Sequence, residues 1–316
     1  MLSILLSSYT LLDLHIPPSS AVLNDSGVIA GKMYAESGMY ACFVWKDGKL
    51  ERLAPEIEEV RGINSKGQVA VQTAKGSGVW ANGKYQLVGE DLRTAAFAGI
   101  DDQGQMIGEI GAGSEGVYSV VYSWKPKPSS FGPGGPRPAA VAPDGAYVGN
   151  YGGGRSLLPP TRPMGWLRTE DKEIPIGDVD HQTEPTCISR NHHVGGTFSY
   201  KGSFESKPFI WFNGKLQELP IPGEQSYGKV VGVNDQGEAI GEAHWKVRTG
   251  EDLAYRDAIM YWKNGKYFFL KDLLPKNEEV EIIEAFAINN KGQILVHISP
   301  TKTHWIRSLA ILTPKT

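Results

Sequence analysis

A four-residue turn, Asn-x-x-Gly, set between two apolar runs, returns along nearly the whole chain. Its fullest copy is Val231-Gly232-Val233-Asn234-Asp235-Gln236-Gly237-Glu238-Ala239-Ile240-Gly241. The same frame recurs as Leu23-Asn24-Asp25-Ser26-Gly27, Ile63-Asn64-Ser65-Lys66-Gly67, Ile100-Asp101-Asp102-Gln103-Gly104 and Ile288-Asn289-Asn290-Lys291-Gly292. Two degenerate copies, Val141-Ala142-Pro143-Asp144-Gly145 and Ile188-Ser189-Arg190-Asn191-His192, make seven. The first Asn can cap its own backbone and the Gly can take positive φ, which is the chemistry of a tight hairpin. Successive copies lie 40, 37, 41, 47, 45 and 55 residues apart. That period fits a four-stranded propeller blade, and no 3.6-residue apolar rhythm supports a helical repeat.

A second hairpin follows the first in most copies. Phe43-Val44-Trp45 leads through Lys46-Asp47-Gly48 to Lys49-Leu50, and Phe209-Ile210-Trp211 leads through Asn213-Gly214 to Lys215-Leu216. Trp80 and Trp262 precede Asn82-Gly83 and Asn264-Gly265 in the same way, while Trp124 and Trp166 precede longer segments. Asp-Gly and Asn-Gly between β-rich runs signal two-residue hairpins. One unit therefore has four strands, A to D. The tryptophans end strand C and are expected to fill the space between blades. Strand A carries Val22, Gly62, Gly99, Ala140, Cys187, Gly232 and Ala287 before its turn, none of them large, which puts it at the crowded centre.

The seventh unit stops after three strands, the last being Leu309-Ala310-Ile311-Leu312. A spare strand, Tyr9-Thr10-Leu11-Leu12-Asp13-Leu14, opens the chain. Pairing the two removes two sheet edges. The expectation is an all-β, seven-bladed β-propeller with four antiparallel strands per blade, its ring closed by strand 9–14 joining strands within 285–313. The whole of 1–316 forms one domain, with blades near 21–54, 60–90, 97–132, 139–177, 185–220, 230–274 and 284–314 plus 9–14.

A net charge of −3 gives no reason to expect nucleic acid. No run of 18 apolar residues suggests membrane insertion. The N-terminus has no Lys or Arg before its apolar part, and Asp13 interrupts it, unlike a signal peptide. Cys42 and Cys187 fall in non-neighbouring units, so core packing is expected rather than a disulfide.

The recurring Ile-Asn-x-x-Gly-x-Val-x-Gly, followed by Phe-x-Trp-x-x-Gly-Lys-x-x-x-Leu, resembles the HAF-type extracellular repeat proteins of bacteria. The resemblance spans roughly residues 9–314, with the His-Ala-Phe signature degenerate as Ala41-Cys42-Phe43 and Lys207-Pro208-Phe209. It implies a propeller-like fold and secretion, and it supplies no catalytic residues.

In an up-and-down blade the A–B and C–D turns share one face, and the B–C and D–A connections share the other. The second face carries the segments read as insertions, 109–118, 125–138, 151–164, 199–207, 243–257 and 299–307. Insertions on one face of a rigid scaffold mark a binding surface. Where strand B leaves its apolar run stand Lys32, Gln72, Glu109, Asn150, Thr197, Glu242 and His297, all polar. In register they would ring the upper mouth of the central channel, as simple polar lining or as ligand contacts. Tyr151 and Arg155 bracket a glycine-rich tip without phosphate-loop spacing. His244, Trp245 and Arg248 offer aromatic and cationic groups to a carboxylate or sugar.

No metal site or cofactor is expected. His192-His193 are adjacent, and Asp178, Asp180 and His181 form only a loop cluster. No nucleophile–base pair is evident. The function expected is non-enzymatic binding of a protein or glycan partner through the insertion-bearing face. Alternatives are a carbohydrate hydrolase or lyase using Glu109 and Glu242, and a structural assembly subunit.

Overall fold

The computed structural model describes every residue except 1–7, 36–37, 90–94, 113–115, 123–128, 131–135, 152–164, 171, 179, 201–202, 204, 250–251, 277, 301–306 and 316. The chain is an all-β propeller with four-stranded antiparallel blades. Among the described residues there are seven four-stranded sheets. Six end on an outer strand of four residues or more, while the third ends on the two-residue Ser129–Ser130. The sheets are numbered below by repeat.

Each blade follows from its two turns. In the sixth, Asn234 Oδ1 accepts from the backbone N–H groups of Gln236 and Glu238 at 3.1 and 3.0 Å, and Gly237 takes φ +71°. Strands Glu224–Val233 and Ala239–Thr249 meet there. Asn264 and Gly265, both at positive φ, then reverse the chain between Asp252–Lys263 and Lys266–Phe269.

The asparagine does more than shape its own turn. Asn24 Nδ2 donates to the Asn64 carbonyl (2.9 Å), and Asn64 Nδ2 to that of Asp101 (2.8 Å). Asn234 Nδ2 donates to the Asn289 carbonyl (3.3 Å), and Asn289 Nδ2 to that of Asn24 (3.1 Å). One oxygen thus holds a turn while one nitrogen ties it to the next blade. Asp101, Ala142 and Ser189 have no such nitrogen to offer.

Cα atoms of successive innermost strands come within 8 Å of each other, and this includes blade 7 with blade 1. A Cβ on Gly62 would lie 3.0 Å from Gly99 Cα, so the small residues of strand A do mark the centre. Apolar clusters fill the seams between blades. Trp80, Trp166, Trp211 and Trp262 are buried, and Trp262 Nε1–H donates to the Pro220 carbonyl at 2.8 Å. Trp45 is half-buried, and Trp124 lies outside the described residues. Strand Tyr9–Asp13 pairs antiparallel with Ser308–Pro314, Leu11 opposite Leu312. Cys42 and Cys187 are buried free thiols.

Several segments read as insertions are hairpins that continue the sheet. Of residues 109–118, 109–112 and 116–118 belong to strands Met106–Ala112 and Gly116–Tyr122. Those at 243–257 form paired strands joined at Thr249 and Asp252. At 199–207, residues 199–200 and 206–207 end and begin strands, and 201, 202 and 204 lie outside the described residues. Segments 125–138, 151–164 and 299–307 fall largely outside the described residues.

Candidate functional site

The seven polar positions of strand B do occupy one register. Their partners on the innermost strand are Ser20 for Lys32, Glu59 for Gln72, Ala96 for Glu109 and Arg137 for Asn150. Glu184 faces Thr197, Lys229 faces Glu242 and Glu284 faces His297. Strand B is therefore one strand out from the axis, and the residues nearest the channel mouth are these partners. Four consecutive blades place Arg137, Glu184, Lys229 and Glu284 there, all exposed. The sequence carried a signal for them: each precedes its turn by a fixed interval, lengthened by one residue where the strand bulges.

That bulge recurs in six blades. Arg61, Ala98, Ala139, Thr186, Val231 and Phe286 are extra residues in the pairing of strand A with strand B. Bulges re-aim side chains and strengthen twist. Here they fall one residue before the small central position, between the channel mouth and the narrow centre.

Of the strand B side chains whose contacts are visible, Lys32 crosses to the next blade, while Gln72, Thr197 and His297 meet residues of their own blade. Lys32 Nζ is 2.5 Å from Glu59 Oε1 of blade 2 and 4.7 Å from the centre of the Tyr40 ring. Gln72 Oε1 accepts from Arg61 at 3.2 Å. Thr197 donates to the Lys207 carbonyl at 3.3 Å, and Lys207 Nζ donates to the Ser226 carbonyl of blade 6 at 2.7 Å. Asn150 is half-buried. His297 is buried, with Nδ1 4.0 Å from Glu284 and Nε2 unpartnered. Burial, with Arg307 nearby, lowers its pKa. The backbones of Glu109 and Tyr151 are in strands, but their side chains, and all of Arg155, lie outside the described residues.

Blades 6 and 7 are separated at this level by a cleft of about 500 Å3. Glu242, His244, Asp257 and Ile259 line it from blade 6, and Glu281, Ile282 and Ile283 from blade 7. His244 lies 4.0 Å from Glu242 and stacks on Tyr227, centroids 4.7 Å apart. Burial and the charge of Glu242 raise the pKa of Glu284, so these carboxylates interact across the seam. Trp245 is not a rim residue as the sequence suggested. It is 9% exposed and stacks on Phe269, because strand alternation turns it into the core while His244 and Arg248 point away. Arg248 is exposed.

Five of the six exposed tyrosines among the described residues are on this face: Tyr34, Tyr40, Tyr200, Tyr227 and Tyr255. The opposite face is tied by polar links, including Arg190 to Asp102 at 3.0 Å and His192 to Asp144 at 2.7 Å. His193 stacks on Phe212. Asp178 pairs with His181 at 2.8 Å. No group of three His, Cys, Asp or Glu side chains among the described residues is placed to hold a metal ion. No described helix is long and apolar enough to cross a membrane.

No protein-family model matches the chain, and no curated protein matches it. Solved structures do. A puromycin-hydrolyzing peptidase of Mycobacterium tuberculosis is similar over 97% of this chain and 55% of its own, at 11% identity and a TM-score of 0.52. The extracellular domain of BT4673 from B. thetaiotaomicron is similar over 96% of this chain and 40% of its own, at 12% identity and a TM-score of 0.50. The chain thus spans about half the length of these structures or less. At such identities the likeness is one of fold.

Proposed function

We propose that the seven sheets act as one closed ring that binds a protein or glycan partner through the face carrying the B–C and D–A connections. The observation behind this is the gathering of exposed tyrosines at the ends of hairpins on that face, beside a cleft with both charged and apolar walls. Tyrosine offers a large contact area with few torsions to freeze and a hydroxyl to satisfy. The opposite face presents short turns tied to one another, which leaves less to recognise. The HAF-type resemblance adds that the partner is met outside the cell. The experiment is selection from peptide and glycan libraries on the whole chain, repeated with a Tyr40→Ser/Tyr255→Ser variant. Ligands that bind the wild type and lose about tenfold or more on the variant support the proposal. Ligands that bind both equally, or none at all, count against it.

A second proposal is hydrolysis of a glycan. Glu109 and Glu242 stand on blades 3 and 6, whose innermost strands do not adjoin, whereas Glu284 lies across the seam from Glu242 and is held toward its protonated form. An acid beside a carboxylate is the pattern of glycoside hydrolysis. Turnover of a bound glycan by the wild type and its loss in Glu242→Gln would favour it.

A further inference from the structure

The seams between blades repeat, and one contains a cation where another has a second carboxylate. Between blades 1 and 2, Lys32 of strand B reaches Glu59 on the next innermost strand. Between blades 6 and 7 the same two register positions hold Glu242 and Glu284.

The equivalence is fixed by the backbone. The innermost strands of blades 2 and 7 share the same pair of bulges. Residues Ile57, Glu59, Val60 and Gly62 pair across them in one, and Ile282, Glu284, Ala285 and Ala287 in the other. Lys32 and Glu242 each follow the glycine of strand B, Gly31 and Gly241. Two residues beyond them on the ladder, Tyr40 opposite Tyr34 corresponds to Asp257 opposite His244. A pocket holding Lys32 by one carboxylate and one aromatic ring thus becomes, in the other seam, a cleft lined by Glu242 and Asp257, with Glu284 beside Glu242.

Like charges facing each other are costly. Among the described residues the only basic groups paired with these two carboxylates are imidazoles, His244 at 4.0 Å from Glu242 and His297 at 4.0 Å from Glu284. The pKa of Glu284 is raised, first by burial and second by Glu242; with its side chain 58% exposed, the charge of Glu242 is the cause that bears on the cleft. The nearby lysines do not relieve it. Lys229, opposite Glu242, and Lys271, on the side away from the axis, make no ion pair among the described residues. Ile259, Ile282 and Ile283 give the cleft apolar walls.

We propose that this cleft receives an alkylammonium or guanidinium group, the tip of a lysine or arginine side chain on the partner, where Lys32 Nζ sits in the first seam. The apolar walls cover the stem of such a side chain and the carboxylates take its charged end. The source of the group rests on the partner-binding function proposed above. The chemistry of the cleft does not.

The test titrates the full chain with Nα-acetyl-lysine methylamide, its arginine counterpart and the uncharged norleucine counterpart, followed by NMR. Binding of the charged probes with shifts at Glu242 and Ile283, and about tenfold weaker binding by Glu284→Gln, is the expected result. The double variant Lys229→Ser/Glu242→Lys copies the Ser20–Lys32 pair into blade 6. It is expected to abolish probe binding while raising the melting temperature. Equal binding of norleucine, or unchanged binding by the double variant, overturns the proposal. Library-selected partners that lack basic residues and still bind the double variant overturn it too, while leaving the partner-binding function standing. Charged probes that bind although no partner is ever selected support the cleft and remove the partner.

Discussion

The side-chain amide of Asn289 donates to the backbone carbonyl of Asn24 at 3.1 Å, joining turns 265 residues apart in sequence. Its own Oδ1 accepts from Lys291 and Gln293 N–H groups at 3.1 and 2.9 Å. Asn289→Asp keeps the acceptor and removes the donor. The substitution is expected to lower stability by about 1–2 kcal/mol, since a buried carbonyl loses its partner. Urea unfolding measures it, and an unchanged midpoint would show that the amide link contributes nothing.

Asp101 occupies the equivalent position without a nitrogen to donate, and it is 1% exposed. Burial raises its pKa above that of the unfolded chain. The stability it contributes is therefore fully present below the unfolded pKa and lost as pH rises through the higher native value. Asp101→Asn supplies the missing donor and removes this titration. The variant is expected to gain about 1 kcal/mol at neutral pH and to lose that advantage in acid, as read from unfolding curves across the pH range.

Lys32 and Glu59 hold blades 1 and 2 together with side chains 18% and 32% exposed. Lys32→Met keeps the stem and removes the charge. A loss of about 1 kcal/mol is expected, smaller at high salt because a partly exposed pair is screened. Unfolding at two ionic strengths checks both parts.

Trp245→Ala opens the core beside Phe269 and is expected to destabilise by about 3–5 kcal/mol. Arg248→Ala, on the exposed side of the same strand, is expected to stay within about 0.5 kcal/mol. A Trp245→Ala protein of normal stability would return that residue to the binding surface.

Cys42 and Cys187 have thiols pushed up to about 11 and about 12 by burial. Iodoacetamide at pH 8 is expected to leave both unmodified in the native protein and to alkylate both in urea, as mass spectrometry would show. Rapid labelling of the native chain would mean that the seams open.

The hairpins, the central strand and the pairing of residues 9–13 with the last strand were legible in sequence because turn chemistry is local. Asn-x-x-Gly and Asx-Gly need no tertiary context to be recognised. Register was less accessible. A one-residue bulge in strand A leaves no mark on composition, so Glu59 and Glu284 went unseen while their strand B partners stood out. The segment 243–257 reads in sequence as an insertion between strands B and C. Yet Ala243, Trp245 and Val247 alternate with Glu242, His244 and Arg248, a period of two that identifies a strand and turns Trp245 inward. The asparagine was assigned to its own turn, which Asp would serve as well. Its second task, reaching the neighbouring blade, is visible only once the turns are side by side.

Because four asparagines each fasten the turn beside them, blades 6, 7, 1, 2 and 3 form one linked run, and an inner sector of it cannot melt without releasing its neighbours. An open solenoid frays from its two ends, but here the first and last blades are tied to each other through Asn289 and Asn24. Hydrogen exchange of the turn amides would then report a single late event shared by these five blades, not a gradient from the termini inward.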